Sequence, residues 1–428
     1  MTRRLGCLVT LLWAGVAHAG TAIVGATVYT LEADQAQPRE GVTVLVADGR
    51  VQAVGPDPVI PDGYQRIDAT GRIVTPGLIE SHSQLGLVEI AGEPSTRDAS
   101  VGVVAFASTG ATGVERFRFG PAFDVQYAIN PNSTLLPVNR MDGVTRAVVA
   151  PLPGNDPLAG WGAAIRLDDA VGVQPRLALF GSIGAATAAY TGGSRSALIQ
   201  RLREGLDGAR SFRPDRYQPD AGAYTRREMS ALKAFLDAGV PLVLTVHRAN
   251  EIRQALAMAR EFEFPLVIHG GSEAWQVAHT LARHRVPVIV DVLDNLPVSY
   301  DQLGARLDNA VLLQRAGVPV LLTAEETQNA RLLRQIAGNA VAEGMPWADA
   351  LAAVTAVPAR VFGLPAGTGT LGPGAPADLV VWTDDPFELT TWAERVMIDG
   401  EWIPMTSRQT RLLERYRDLE GPLPFGYR

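Results

Sequence analysis

Three histidines, His82, His247 and His269, have the clearest chemical potential in this chain. Each lies in or just after a short apolar run: "GLIESHS", "PLVLTVH" and "PLVIHGG". If those runs are strands, each imidazole stands at a strand's C-terminal end, where three neutral rings could meet on one divalent ion. The competing reading is local hydrogen bonding that orients loops. His82-Ser83-Gln84 sharpens the choice, because side chains two apart on a strand share a face. A His-x-His pair there would aim two imidazoles at one ion, but the second position is Gln84, a neutral amide and a poor partner for zinc beside imidazole. Glu325 and Glu326 follow another apolar run, "VLLTA", and are the carboxylates placed to carry a proton. An ion in such a site lowers the pKa of bound water from ~15.7 towards ~7. A carboxylate then passes the proton to the leaving group. The site needs about three protein ligands and an open position.

Other chemistry-bearing residues have plainer readings. His279 and His284 fall in the helical run "EAWQVAHTLARHR" and are expected on the surface. Gly192-Gly193-Ser194 precedes a helix without a following Gly-Lys-Ser/Thr, so Ser194 reads as an N-cap rather than part of a phosphate loop. Asp291 and Asp294 follow "VPVIV" and either approach the histidines or cap the next loop. Trp161 either lines a pocket or fills a loop core.

The elements that position these residues follow from periodicity. From Thr21 to Ile73, short runs rich in Val and Ile with an Asp48-Gly49 turn indicate a small antiparallel sheet. The same texture returns from Gly369 to Ile403, so one β-sandwich is expected from residues 20–75 and 366–428, with a helix over Ser407 to Leu419 packed on it. Between them, residues 76–365 alternate strands with helices. Strands are expected in "TRAVVAP", "RLALFGS", "PLVLTVH", "PLVIHGG", "VPVIVDV" and "VPVLLTA". Helices are expected over Ser194 to Ser211, Arg226 to Ala238, Ala249 to Glu261, Glu273 to His284 and Ala330 to Glu343. Continuous apolar strands separated by helices indicate a parallel sheet buried on both faces. At least seven such units favour a closed (β/α)8 TIM-like barrel, with chemistry at the C-terminal strand ends. Val88 to Asn139 reads as a long excursion over the barrel mouth.

Composition narrows the class. The chain has 428 residues, 47% hydrophobic and 19% charged, a globular balance. Its start has a secretory pattern: "MTRR", the apolar run Leu5 to Val16, and Ala17-His18-Ala19 before Gly20. A signal peptide over residues 1–19 and a periplasmic or secreted protein are therefore expected. The apolar run is shorter than the ~20 residues of a bilayer span. Cys7, the single cysteine, would leave with the leader, which removes disulfides, thiolate ligands and a cysteine nucleophile. The net charge of −7, without basic clusters, argues against nucleic acid or an anionic membrane as partner.

"TPGLIESHSQLGL" resembles the amidohydrolase-superfamily opening "TPGLID-x-H-x-H", and "GTLGPGAPADLVVW" resembles its closing "G-x-L-x-x-G-x-x-ADLVV". "PWADALAAVTAVPARVFGL" resembles the helix between them, so the likeness spans nearly the whole chain after the leader. The resemblance, to the imidazolonepropionase-like part of the superfamily, implies a barrel joined to a composite β-sandwich and a metal-dependent hydrolase of non-peptide C–N bonds. It implies that His82 and His269 are ligands, with His247 a third candidate, because the family's strand-five histidine falls on Thr245. The strand-eight aspartate falls near Ala324, Glu325 and Glu326. Lys233, the only lysine, lies in a helical run before a strand, so a carboxylated-lysine bridge between two ions is not implied.

Two readings follow. One is an exported hydrolase of a cyclic amide or small peptide-like substrate, holding at most one divalent ion (zinc, manganese or iron). The other is a catalytically inactive homologue, without metal, that serves as a periplasmic binding or partner module. The partners expected are a small-molecule substrate or ligand and either a second copy or an active paralogue. Neither nucleic acid nor, once the leader is removed, membrane is expected.

Overall fold

The computed structural model describes residues 20–32, 37–101, 119–154, 156–220, 222–294, 296–325 and 327–417. The leader-like segment and Glu326 lie outside them. Five strands open the chain: β1 (Gly20–Val28), β2 (Arg39–Ala47), β3 (Arg50–Gly55), β4 (Tyr64–Asp68) and β5 (Ile73–Pro76). The next eight are β6 (Leu78–Ser83), β7 (Val144–Val149), β8 (Leu158–Arg166), β9 (Val173–Ser182), β10 (Leu242–Val246), β11 (Leu266–Gly270), β12 (Val288–Val290) and β13 (Val320–Leu322). Strands β14 (Leu379–Trp382), β15 (Ala393–Ile398) and β16 (Glu401–Trp402) close the series.

These make two eight-stranded sheets. The first runs β16-β15-β14-β5-β1-β2-β3, with β4 paired to β1, so both chain ends build it. The second runs in order from β13 to β6 and curls into a nearly closed barrel. The alternation of apolar strand and helix produces that barrel as expected, with one difference: β8 is antiparallel to both β7 and β9. Only short connections join β7, β8 and β9, too short for the crossover a parallel pair requires. Trp161 thus belongs to a buried strand rather than a loop.

Four of the parallel strands begin in the same way. Pro241, Pro265, Pro287 and Pro319 immediately precede β10, β11, β12 and β13. Each proline carbonyl accepts from the preceding strand, at Leu179, Leu242, Ile268 and Val288 respectively. Proline lacks the donor that a strand interior needs but keeps its acceptor, so the strand's first position suits it. This repeated stagger brings the C-terminal ends of β10 to β13 out at one mouth.

The helices lie close to their expected spans. Arg226–Ala238 opens with a Thr225/Glu228 capping box and stops at Gly239, which has φ 64°. The run from Glu273 divides into a 3-10 turn, Ala274–Val277, and a short helix, Ala278–Arg283. The last helix, Arg408–Tyr416, buries none of its own residues, while its N-cap, Ser407, is buried. None of the helices among the described residues is long and apolar enough to cross a membrane.

Barrel and terminal sheet are joined through a buried charge pair. Arg146 of β7 donates to Asp378 at 2.6 Å, and Asp378 also accepts from the Asp399 N–H at 2.8 Å. Beside it, Trp382 Nε1 donates to Thr75 Oγ1, and the ring lies against Gly143, where a Cβ would come within 2.6 Å of it. Gly143, at φ 91°, thus meets two demands that only glycine satisfies together. Removing one member of a buried pair leaves the other charge uncompensated, at a cost of about 3–5 kcal/mol. Asp378→Ala should lower the urea midpoint correspondingly. An unchanged midpoint would show that the junction does not depend on this pair.

Candidate functional site

The site forms where parallel strands end. His82 lies in β6, His269 in β11, and His247 follows β10 by one residue. Glu325 is three residues beyond β13, at φ 51°, and Asp294 is in the loop after β12. The barrel's stagger therefore brings together all three predicted histidines and one of the two predicted glutamates. Glu326 lies outside the described residues.

Each ring is held by a distinct contact. His269 Nδ1 is 2.9 Å from the hydroxyl of Thr245, its register partner on β10. Its Nε2 lies 2.7 Å from Glu325 Oε1, a charge contact that misses hydrogen-bond alignment. His82 stacks on His269, with centroids 3.9 Å apart and planes inclined by 21°. His247 Nδ1 meets Ser272 Oγ at 2.9 Å, and its ring lies over Gly270, where a Cβ would approach within 2.6 Å. Gln84 is buried, and its carbonyl accepts from Thr327 Oγ1 at 3.2 Å.

The charge states follow from these surroundings. Burial pushes the His82 imidazole down to about 3, and the adjacent His269 adds to the effect. Burial and His269 likewise lower His247, against the pull of Asp294 and Glu325. Enclosure alone would raise the Glu325 carboxyl, but His269, His82 and His247 outweigh it and hold the group at about 2. Burial raises Asp294, with His247 opposing. Near neutral pH the cluster thus contains neutral His82 and His247 beside a fixed negative charge at Glu325.

That charge pattern suits a cation, but the geometry does not complete a metal centre. Among the described residues, no three His, Cys, Asp or Glu side chains are grouped to hold one ion. His82 and His269 face each other through their rings instead of directing nitrogens at a shared point. Lys233 pairs with Asp237 along its own helix at 2.7 Å. The described side chains do not fit the family's metal centre as they stand, and no chemical step is derived through one.

Sequence reasoning missed the residue that organises this cluster. Glu80 is wholly buried in β6. Its carboxylate accepts from Thr323 Oγ1, from the His82 N–H at 3.0 Å and from the Ala324 N–H at 3.1 Å. Desolvation nevertheless pushes its pKa up to about 7. An acid inside the otherwise apolar run "TPGLIES" was the available signal. The plainer readings hold elsewhere: His279 and His284 are exposed, Ser194 caps its helix, and Asp291 accepts from the Leu293 N–H within its own loop.

Comparison with known proteins places these features in context. A model of the Amidohydrolase family matches residues 315–403. The chain is 25% identical over 403 residues to Amidohydrolase tasK of Hapsidospora irregularis, covering 83% of this chain but only 39% of that longer protein. It is 26% identical to an Imidazolonepropionase of Polaromonas sp., covering 86% of this chain and 91% of the relative. A solved amidohydrolase from Thermotoga maritima superposes with a TM-score of 0.77 at 25% identity, covering 91% of this chain and all of that one.

Glu80 also makes the site's stability depend on pH. Its folded pKa lies above the ordinary carboxyl value of 4.5, so the folded state binds more protons between the two. Stability should therefore fall as pH rises from about 4.5 to about 7 and level off above, by roughly 3 kcal/mol in total from this group. Denaturant midpoints of wild type and Glu80→Gln across that range test this. The variant should lose the slope, and an identical slope in both would reject the assignment.

Proposed function

This chain is an imidazolonepropionase-like member of the amidohydrolase superfamily, and on that premise we propose that it hydrolyses a non-peptide carbon–nitrogen bond in a cyclic amide or small peptide-like substrate. The observation that carries this reading is the convergence of His82, His247, His269 and Glu325 at the barrel mouth. Amide hydrolysis needs a proton taken from water and one delivered to the leaving nitrogen. Glu325, ionised and partly open to solvent beside His269, is the group assigned to take that proton. His269 positions that carboxylate through Nε2, and Thr245 fixes the ring's orientation through Nδ1. His82 stays neutral on the ring's other side and adds no opposing charge. The leader-like first 19 residues support a periplasmic or secreted setting for the reaction.

A second reading, a non-catalytic binding or partner module, has its own observation. Gln84 is engaged by Thr327, and the stacked pair of His82 and His269 is packed closely.

One experiment separates the two. Protein purified without chelator is analysed for metal content, then assayed on cyclic amides and dipeptides with and without zinc, manganese or iron. On the hydrolase reading, turnover is seen and falls about 100-fold or more in His269→Ala and in Glu325→Gln, with unchanged melting. Binding of these compounds without turnover under any metal condition would establish the second reading instead.

A further inference from the structure

The loop that carries Asp294 is built inside out. Leu293, Leu296, Val298, Tyr300 and Leu303 are each between 53% and 87% exposed, while the loop's acids turn inward. Asp294 accepts from Gln302 Nε2 at 3.0 Å, and its charge acts on His247 and Glu325. Asp301 is buried, accepts from the Ala185 N–H at 2.7 Å and is paired with Arg195, which also holds Glu251 at 2.8 Å. Trp275 Nε1 donates to the Gly304 carbonyl at 3.0 Å. Held at these points, the loop cannot fold its apolar side chains under itself, and they remain as a fixed surface.

The position of that surface indicates what covers it. The loop leaves the C-terminal end of β12 at the barrel mouth, and at its far end Gly304 lies against Glu273, whose N–H donates to the His247 carbonyl at 2.8 Å, so the loop adjoins the reaction site. Five exposed apolar side chains within one short loop can together offer about a few hundred Å² of apolar surface. That falls short of the roughly 800 Å² per partner buried in a stable dimer. We propose that this loop is a platform for an apolar chain on the substrate, so that the substrate is an amide bearing an alkyl or aromatic acyl group that lies across Leu293, Leu296, Val298, Tyr300 and Leu303. The proposal rests on the hydrolase reading for its chemistry and on the loop alone for its specificity.

The test uses N-acylglycine amides with acetyl, butanoyl, hexanoyl and octanoyl chains, followed by titration calorimetry for binding and by amine release for turnover. In the wild type, affinity should rise about two- to fourfold per added methylene over the first carbons, the factor expected for a buried CH₂. The triple variant Leu296→Ser, Val298→Ser, Tyr300→Ser changes only exposed side chains and should melt as wild type does. It should bind the acetyl compound equally well and lose the dependence on chain length. A flat series in wild type, or an equally steep one in the variant, would overturn the platform. A steep series without amine release would leave the platform standing and reject the hydrolase reading. A flat series together with self-association that sedimentation detects in wild type but not in the variant would make the patch an interface between copies and overturn the proposal.

Discussion

The barrel is closed by side chains, Glu80 foremost, rather than by a ladder. Its strands pair in sequence from β13 to β6, and the two end strands are not hydrogen-bonded to each other. Glu80 bridges that gap: from β6 it accepts from Thr323 Oγ1 and from the Ala324 N–H just beyond β13. Thr323 Oγ1 also reaches the His82 carbonyl at 3.2 Å and accepts from the Glu325 N–H at 3.1 Å. The clasp therefore sets the backbone of both His82 and Glu325. A buried carboxylate survives in this place only because three donors satisfy it. Loss of any one of them would disturb the seam and the site together.

From that clasp the electrostatics of the mouth follow. With β6 and β13 held together, His82 stacks on His269, and Glu325 is brought against His269 Nε2. Crowded imidazoles disfavour charging one another, while together they favour an ionised carboxylate. Low pKa values at His82 and Glu325 are two consequences of one arrangement. The same crowding explains why ligand-type residues do not by themselves make a metal centre. An ion needs nitrogens converging edge-on at one point, and stacking turns the ring faces together instead.

The architecture was legible in the sequence because periodicity and turn residues are local signals. The Asp48-Gly49 turn and the helix from Arg226 to Ala238 act within a few residues, and both lie where the pattern indicated. The antiparallel β8 was not legible, since "LAGWGAAIR" is small-residue rich and lacks β-branched alternation, and its strand character comes from two neighbours. Within the site, the histidines could be named from their strand ends. The stacking of two of them, and the tie from Thr245 to His269, depend on strands 24 or more residues apart. Glu80 was hidden for the same reason: its partners Thr323 and Ala324 lie more than 240 residues away in the chain.

Gln84 can be understood against this background. An amide that accepts from Thr327 ties the β6 loop to the loop beyond Glu325 without adding charge. A second imidazole there would add another titrating group to a space where His269 already disfavours the charged forms of His82 and His247. The glutamine therefore adds a neutral contact between the two loops that Glu80 also clasps. Framework and chemistry have different requirements at this position: the fold needs a hydrogen bond across the seam, which many polar residues can supply, whereas the superfamily's metal chemistry needs a particular nitrogen. A neutral amide meets the first need whatever the second demands, so an intact barrel does not by itself define the chemistry of its mouth.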